Sequence, residues 1–170
     1  MSVSPLGRGL WFALLVLPLI HTAAGASEVQ KADAVLVVKS EKRLYLLDAG
    51  EEFASYHVTF GDNPKGHKER QGDGRTPEGR YVLDYKNRQS SYYRSIHVSY
   101  PNEQDRRAAK NLGANPGGDI MIHGQPNGWG WAGIVLQNLS WTDGCIALTD
   151  SDMDHVWQAV DPGTPVEIRP

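Results

Sequence analysis

A single cysteine, Cys145, stands among 170 residues, so no disulfide can form within the chain and any fold it adopts must be held by its own packed core. The N-terminus sharpens the point. Arg8, the apolar run Leu10 to Ile20 and the small residues Ala24-Gly25-Ala26 read as a secretion signal over residues 1–26, cleaved before Ser27. Eleven apolar residues are too few for a bilayer span, which takes about 20, and no later stretch comes near it, so no stable membrane span is expected after cleavage. A secreted protein with one leftover thiol keeps it either as a small buried hydrophobe or as a reactive group.

Residues 27–170 are enough for one domain with one core. Without Arg8 the chain has 16 basic and 20 acidic residues, a net charge of −4 with histidines neutral, and the basic residues gather into no stripe. Nucleic acid is therefore not an expected partner. Lys65, His67, Lys68, Arg70 and Arg75 form a loose group diluted by Asp62, Glu69, Asp73 and Glu78, which reads as a solvated loop. His57, His67, His97 and His155 show no metal-ligand spacing, and Gly72-Asp73-Gly74-Arg75-Thr76 lacks the Gly-Lys-Ser/Thr ending of a phosphate loop. Neither a metal nor a cofactor is expected, and the sequence carries no signal of oligomeric state.

Alternating and β-branched runs place strands at 34–39, 44–47 and 53–60, an antiparallel meander with turns at Ser40-Glu41-Lys42 and Asp48-Ala49-Gly50. Gly61 to Gly79 holds five glycines and two prolines and reads as a mobile connection or a rim of the working site. Strands resume at 80–85, 95–100, 119–123 and 166–168. A helix is expected over Asn102 to Leu112, ended by Gly113. A second carries Met153, Val156, Trp157 and Val160 on one face, capped by Asp150 or Ser151 and ended by Pro162-Gly163. The fold class is mainly β with two short helices.

The chemistry centres on Ser140-Trp141-Thr142-Asp143-Gly144-Cys145 and on Ile120-Met121-Ile122-His123-Gly124, which puts a histidine 22 residues before the cysteine. A thiol is a strong nucleophile only as thiolate, and an imidazole beside it can take the proton. Gly144, with no side chain, lets its own N–H and that of Cys145 approach a developing oxyanion. Spacing alone does not separate this reading from the bland one, in which both side chains are core. Trp129, Trp131 and Trp141 either fill a satellite core or wall a cleft; Trp129 and Trp131 are assigned to the cleft and Trp141 to packing.

Ile122-His123-Gly124, a loop of about twenty residues, and Thr142-Asp143-Gly144-Cys145 together resemble the signature of the L,D-transpeptidase family, the YkuD-type catalytic domain. Leu44-Tyr45-Leu46, Val58-Thr59-Phe60-Gly61 and Thr76-Pro77-Glu78-Gly79 extend the resemblance over residues 34–170. It implies a YkuD-like β-sandwich with a catalytic Cys loop, secreted to the periplasm or cell envelope and acting on peptidoglycan stem peptides. Cys145 would attack the carbonyl at the L-centre of diaminopimelate in a stem tetrapeptide and expel D-alanine, with His123 passing the proton. Backbone N–H groups of Asp143, Gly144 and Cys145 would hold the oxyanion, and Gly124, Trp129, Trp131, Thr142 and Arg75 would line the substrate site. An amine would resolve the thioester into a 3→3 cross-link or related attachment. Water would make the same centre a hydrolase, and loss of the chemistry would leave a wall-binding module.

Two positions depart from the family pattern, which has Ser-His before Gly-Cys and a basic or amide residue two after it. Here they are Thr142-Asp143 and Ala147. An ionised Asp143 about 6 Å from the sulfur would oppose the thiolate by ~3 kcal/mol at an effective dielectric of about 20. Its carboxylate is therefore expected to point away and bond a loop backbone, or else to hold an incoming amine. Lys68, Arg75 and Arg94 are the candidates to meet the acidic groups of the donor stem.

Overall fold

The computed structural model describes Met1 and residues 28–170, so the expected secretion signal at 1–26 lies outside the described residues apart from Met1. Among the described residues no helix is long and apolar enough to cross a membrane. Eight strands of the described residues form one sheet: β1 (Ala34–Val38), β2 (Arg43–Asp48), β3 (Glu51–His57), β4 (Gly79–Asn87), β5 (Ser95–Val98), β6 (Met121–His123), β7 (Ile146–Ala147) and β8 (Thr164–Arg169). Their order is β3-β2-β1-β8-β4-β5-β6-β7.

The expected meander is there, with β1 to β2 and β2 to β3 antiparallel. Period-two alternation sends Val35 and Val37 of β1, Leu44 and Leu46 of β2, Tyr81 and Leu83 of β4, and Val166 and Ile168 of β8 into the core. β8 lies parallel to β1, with Val35 beside Val166 and Val37 beside Ile168, so the C-terminus fills the middle of the sheet. The sandwich comes from this one sheet curling. Thr59, just past β3, bridges Ala147 of β7, and Gly61 bridges Thr142, so the two ends of the sheet meet beside the cysteine loop.

Helix α1 (Glu103–Asn111) and helix α3 (Asp150–Ala159) are the two expected helices; between them lie a 3-10 turn (Gly130–Ala132) and a four-residue helix α2 (Gly133–Leu136) where the sequence reads as a glycine-rich loop. One turn of helix is too short to show a 3.6-residue period. Met153, Val156 and Trp157 of α3 are buried, as their spacing requires. Its cap is neither Asp150 nor Ser151 but Thr149, whose hydroxyl accepts the Asp152 N–H at 3.1 Å. That frees Asp150 to accept the Gln125 N–H at 2.7 Å and to brace the chain just after β6.

The segment from Gly61 to Gly79 is tied down by Asp73. Its Oδ2 accepts N–H bonds from Glu69 and Arg70 at 2.8 and 3.0 Å, and its Oδ1 accepts from Arg75 N and Lys68 Nζ at 3.1 and 2.8 Å. These donors hold the Asp73 carboxyl down at about 2, against burial pushing it up. The basic group read as solvated is thus partly interior, with the Lys68 side chain only 3% exposed. At the far end of the segment, the Glu78 N–H donates to His67 Nδ1 at 3.0 Å and His67 Nε2 meets Asp105 of α1 at 3.1 Å.

Candidate active site

β6 and β7 run parallel with Ile122 beside Ile146 and His123 beside Ala147. Extending that register puts Cys145 beside Met121, and alternation then sends Met121, His123 and Cys145 to one face while Ile122 and Ile146 enter the core. His123, on β6, and Cys145, the residue just before β7, are therefore diagonal neighbours, and both line one cavity of about 340 Å³.

The imidazole is fixed in direction. His123 Nδ1 lies 2.7 Å from the carbonyl oxygen of Gly124, which can only accept, so Nδ1 carries the hydrogen and Nε2 keeps the lone pair. Tyr92 and Trp141 close over the ring at centroid distances of 4.7 and 5.5 Å, leaving His123 3% exposed. Burial lowers His123 to about 4, only partly offset by the Gly124 carbonyl.

The sulfur is partly exposed, accepts the Met121 N–H at 3.4 Å and donates to the Asp119 carbonyl at 3.6 Å. Burial pushes the Cys145 thiol up. The Met121 N–H and the Lys68 charge pull it down, and Asp143 and Asp119 push it up. Thiol and imidazole therefore rest uncharged near neutral pH, with the proton still on sulfur.

Gly144 adopts φ +116°, and a Cβ there would run into the carbonyl oxygen of Arg75, so only glycine fits this turn. Thr142 locks it by donating Oγ1–H to the Cys145 carbonyl at 2.8 Å, while the Gly144 N–H leans on Thr142 Oγ1 at 3.4 Å. Among the described residues the backbone N–H groups of Asp143 and Cys145 have no acceptor within the chain. Two N–H donors are thus left unpaired in the turn that carries the sulfur.

The family model for the YkuD L,D-transpeptidase catalytic domain matches residues 32–168. The chain belongs to this family. This YkuD domain is 29% identical over 132 residues to YafK of Escherichia coli (strain K12), covering 74% of this chain and 46% of YafK. It is similar in structure to the helical cell shape determining protein Pgp2 from Campylobacter jejuni, with TM-score 0.58, 27% identity, and coverage of 85% of this chain and 51% of Pgp2. L,D-transpeptidase 3 from Mycobacterium tuberculosis shares the fold at TM-score 0.53 and 17% identity, over 81% of this chain and 60% of that one. The chain spans about half the length of YafK and Pgp2.

The YkuD domain gathers Cys145, His123, Thr142, Asp143 and Trp141 around its cavity, but not every expected residue. Trp141, read as packing, is a wall. Trp129 and Trp131, read as walls, stack on each other at 6.1 Å on the outer surface, 54% and 83% exposed. Arg75 serves through its backbone behind Gly144, while its guanidinium bonds the His67 carbonyl at 3.3 Å and Glu69 at 3.2 Å. Arg94 is committed to Asp154 at 2.7 Å. Gly124 is buried where a Cβ would strike Asp150 and Tyr93, and it contributes its carbonyl. Asp143 does not bond a loop backbone; its carboxylate has no partner among the described residues and lines the cavity.

Ala147 is fully buried and exchanges both backbone bonds with Thr59, at 2.9 and 3.0 Å. This leaves no room for a basic side chain. Sequence reasoning missed Asn87, Ser90, Tyr92 and Asp119, which complete the cavity. The only available signal was Ser90-Ser91-Tyr92-Tyr93, a polar and aromatic stretch between two strands.

Proposed function

We propose that this chain is a peptidoglycan L,D-transpeptidase of the cell envelope, working through a thioester on Cys145, with residues 1–26 acting as a removable secretion signal. The observation that carries the reading is a nucleophile and a base on one wall of a shared cavity, the base anchored through Nδ1 so that Nε2 is free. As Sγ attacks the carbonyl at the L-centre of diaminopimelate, its proton passes to His123 Nε2. The oxyanion draws on the free N–H groups of Asp143 and Cys145, with Gly144 shaping the turn. Collapse breaks the amide bond, and the D-alanine amine leaves with the proton from His123. The amine of a second stem then attacks the thioester and gives up a proton to His123, which returns it to the sulfur as the C–S bond breaks, leaving a 3→3 cross-link and the free thiol.

A neutral resting pair suits this sequence of steps. The imidazole is ready to accept, and a thiol that loses its proton only during attack avoids a standing negative charge beside Asp143 and Asp119. Incubation of the purified chain with stem tetrapeptide muropeptides, with product masses as readout, tests the proposal. Cross-linked dimers support it. Trimmed monomers make the same thioester a hydrolase intermediate, and no product leaves a wall-binding module. Cys145→Ala should abolish either product while the protein stays folded; turnover by that variant would refute the cysteine mechanism.

A further inference from the structure

A second cavity, of about 300 Å³, adjoins the one that holds the nucleophile. Lys68, Gly72, Gly117, Gly118, Asp119 and Asp143 are among its lining residues, and Asp119 and Asp143 line both cavities. The shared wall touches the chemistry, because the Asp119 carbonyl accepts from the Cys145 thiol at 3.6 Å and Asp143 stands two residues before it. Whatever fills the second cavity lies against residues that meet the reacting sulfur.

The charges of this cavity are incompletely matched within the chain. The Lys68 ammonium has three N–H groups and a side chain only 3% exposed, yet its one acceptor among the described residues is Asp73, at 2.8 Å. Asp73 is well satisfied, since three backbone N–H groups bond it as well. A buried ammonium with donors to spare is costly unless something accepts from it. On the shared wall the carboxylates of Asp119 and Asp143 have no partner among the described residues. Three glycines line the cavity, so its backbone is unscreened there. The Lys68 charge is also felt at the thiol, which it pulls down against burial.

A lone carboxylate drawn to Lys68 would face two aspartates, and a lone amine drawn to the aspartates would face Lys68. A ligand bearing both charges a bond or two apart satisfies both sides. We propose that this second cavity is a subsite for a zwitterionic α-amino-acid head group, its carboxylate on Lys68 and its ammonium on Asp119 and Asp143. The inference rests on the transpeptidase reading for its source, since the side arm of diaminopimelate in a stem ends in such a head. Both the donor and the acceptor stem carry one.

Binding is tested apart from catalysis, by calorimetry on the full chain carrying Cys145→Ala with three probes: D-norleucine, hexanoate, which lacks the ammonium, and pentylamine, which lacks the carboxylate. D-Norleucine should bind about 10-fold or more tightly than either. Lys68→Gln should bring it down to the level of pentylamine, and Asp143→Asn to that of hexanoate. Equal binding of the three probes, or none of D-norleucine, overturns the proposal whether or not the protein turns over muropeptides. If Lys68→Gln does not fold, the exposed pair Asp119→Asn and Asp143→Asn carries the test. The two sources separate in turnover. Amidating the head carboxylate of the donor should slow acyl-enzyme formation about 10-fold if the donor fills the subsite; amidating that of the acceptor should slow only cross-linking if the acceptor does. No effect in either arm rules out the proposed ligand.

Discussion

The phenol ring of Tyr92 lies over the imidazole of His123 with centroids 4.7 Å apart and planes 40° from parallel. Together with Trp141 it keeps water off the base, and burial is what holds His123 at about 4. In the proposed mechanism His123 must be neutral to take the thiol proton, so kcat/KM should fall only as the pH drops towards 4. Tyr92 is 41% exposed and can be cut back without opening the core. Tyr92→Ala should move the acid limb of the kcat/KM profile up towards the ordinary histidine value of about 6.5. An acid limb that stays in place would mean that Tyr92 does not dry the imidazole.

The same burial ties stability to pH. His123 titrates near 6.5 in the unfolded chain and at about 4 in the folded one, so between those values the unfolded chain binds the extra proton. The contribution is complete above 6.5 and is lost as the pH falls towards 4, amounting to about 3 kcal/mol across the window. Urea unfolding at about pH 7.5 and about pH 4.5 should show this loss in the parent and a smaller one in His123→Gln. Equal pH dependence in the two proteins would show that other groups carry it.

Cys145 should behave as a protonated thiol until the solution is distinctly alkaline, because burial and the two flanking aspartates raise it. Alkylation by iodoacetamide, followed by intact mass, should be slow at neutral pH and still be climbing past pH ~9. A plateau reached below pH ~8 would identify a standing thiolate and reverse the order of proton transfer and attack proposed above.

The strands were readable where side-chain alternation is local, as in Val35 and Val37 or Val166 and Ile168. The pairing of neighbours in the opening meander was readable too, but that of β1 with β8 was not, because β8 joins from the far end of the chain and nothing in either run names the other. β7 is two residues long and cannot display a period. In the candidate site, Cys145, His123 and Gly144 stood out because the nucleophile and base proposed for them, and a tight turn, demand particular residue types. Tyr92 did not, since what it does depends on a loop closing over the sheet, and Lys68 stood out as a candidate charge but read as solvated although its side chain is buried. Trp129 and Trp131, assigned to the cleft, stack on each other at the surface and do not line the cavity, a placement that depends on the path of the loop and not on residue type.

Gly144→Ala should lose both activity and stability. The residue sits at φ +116°, where an L side chain is strained, and its Cβ would press on the Arg75 carbonyl. Relief requires moving the 142–145 turn that presents the Asp143 and Cys145 N–H groups. Strain of about 1–3 kcal/mol should lower the unfolding midpoint, and kcat should fall about 100-fold if an oxyanion donor is displaced. Retention of parental kcat would mean that the turn does not shape the oxyanion site.

Asp73 and Lys68 should respond unequally to mutation. Asp73→Ala strands a buried ammonium and also unpairs the N–H groups of Glu69, Arg70 and Arg75, whereas Lys68→Met leaves Asp73 its three backbone donors. Removing the acid should cost about 3–5 kcal/mol, and removing the base distinctly less. The acid dependence has a definite sign: the carboxyl is depressed from 3.8 to about 2, so its contribution is complete above 3.8 and is lost as the pH falls through that interval. Because Arg75 backs Gly144, Asp73→Ala should also loosen the cysteine turn and slow acylation of Cys145 in the folded fraction. Urea midpoints for the two variants at neutral pH decide the matter: if Lys68→Met is the more damaging, the ammonium and not the carboxylate organises this loop.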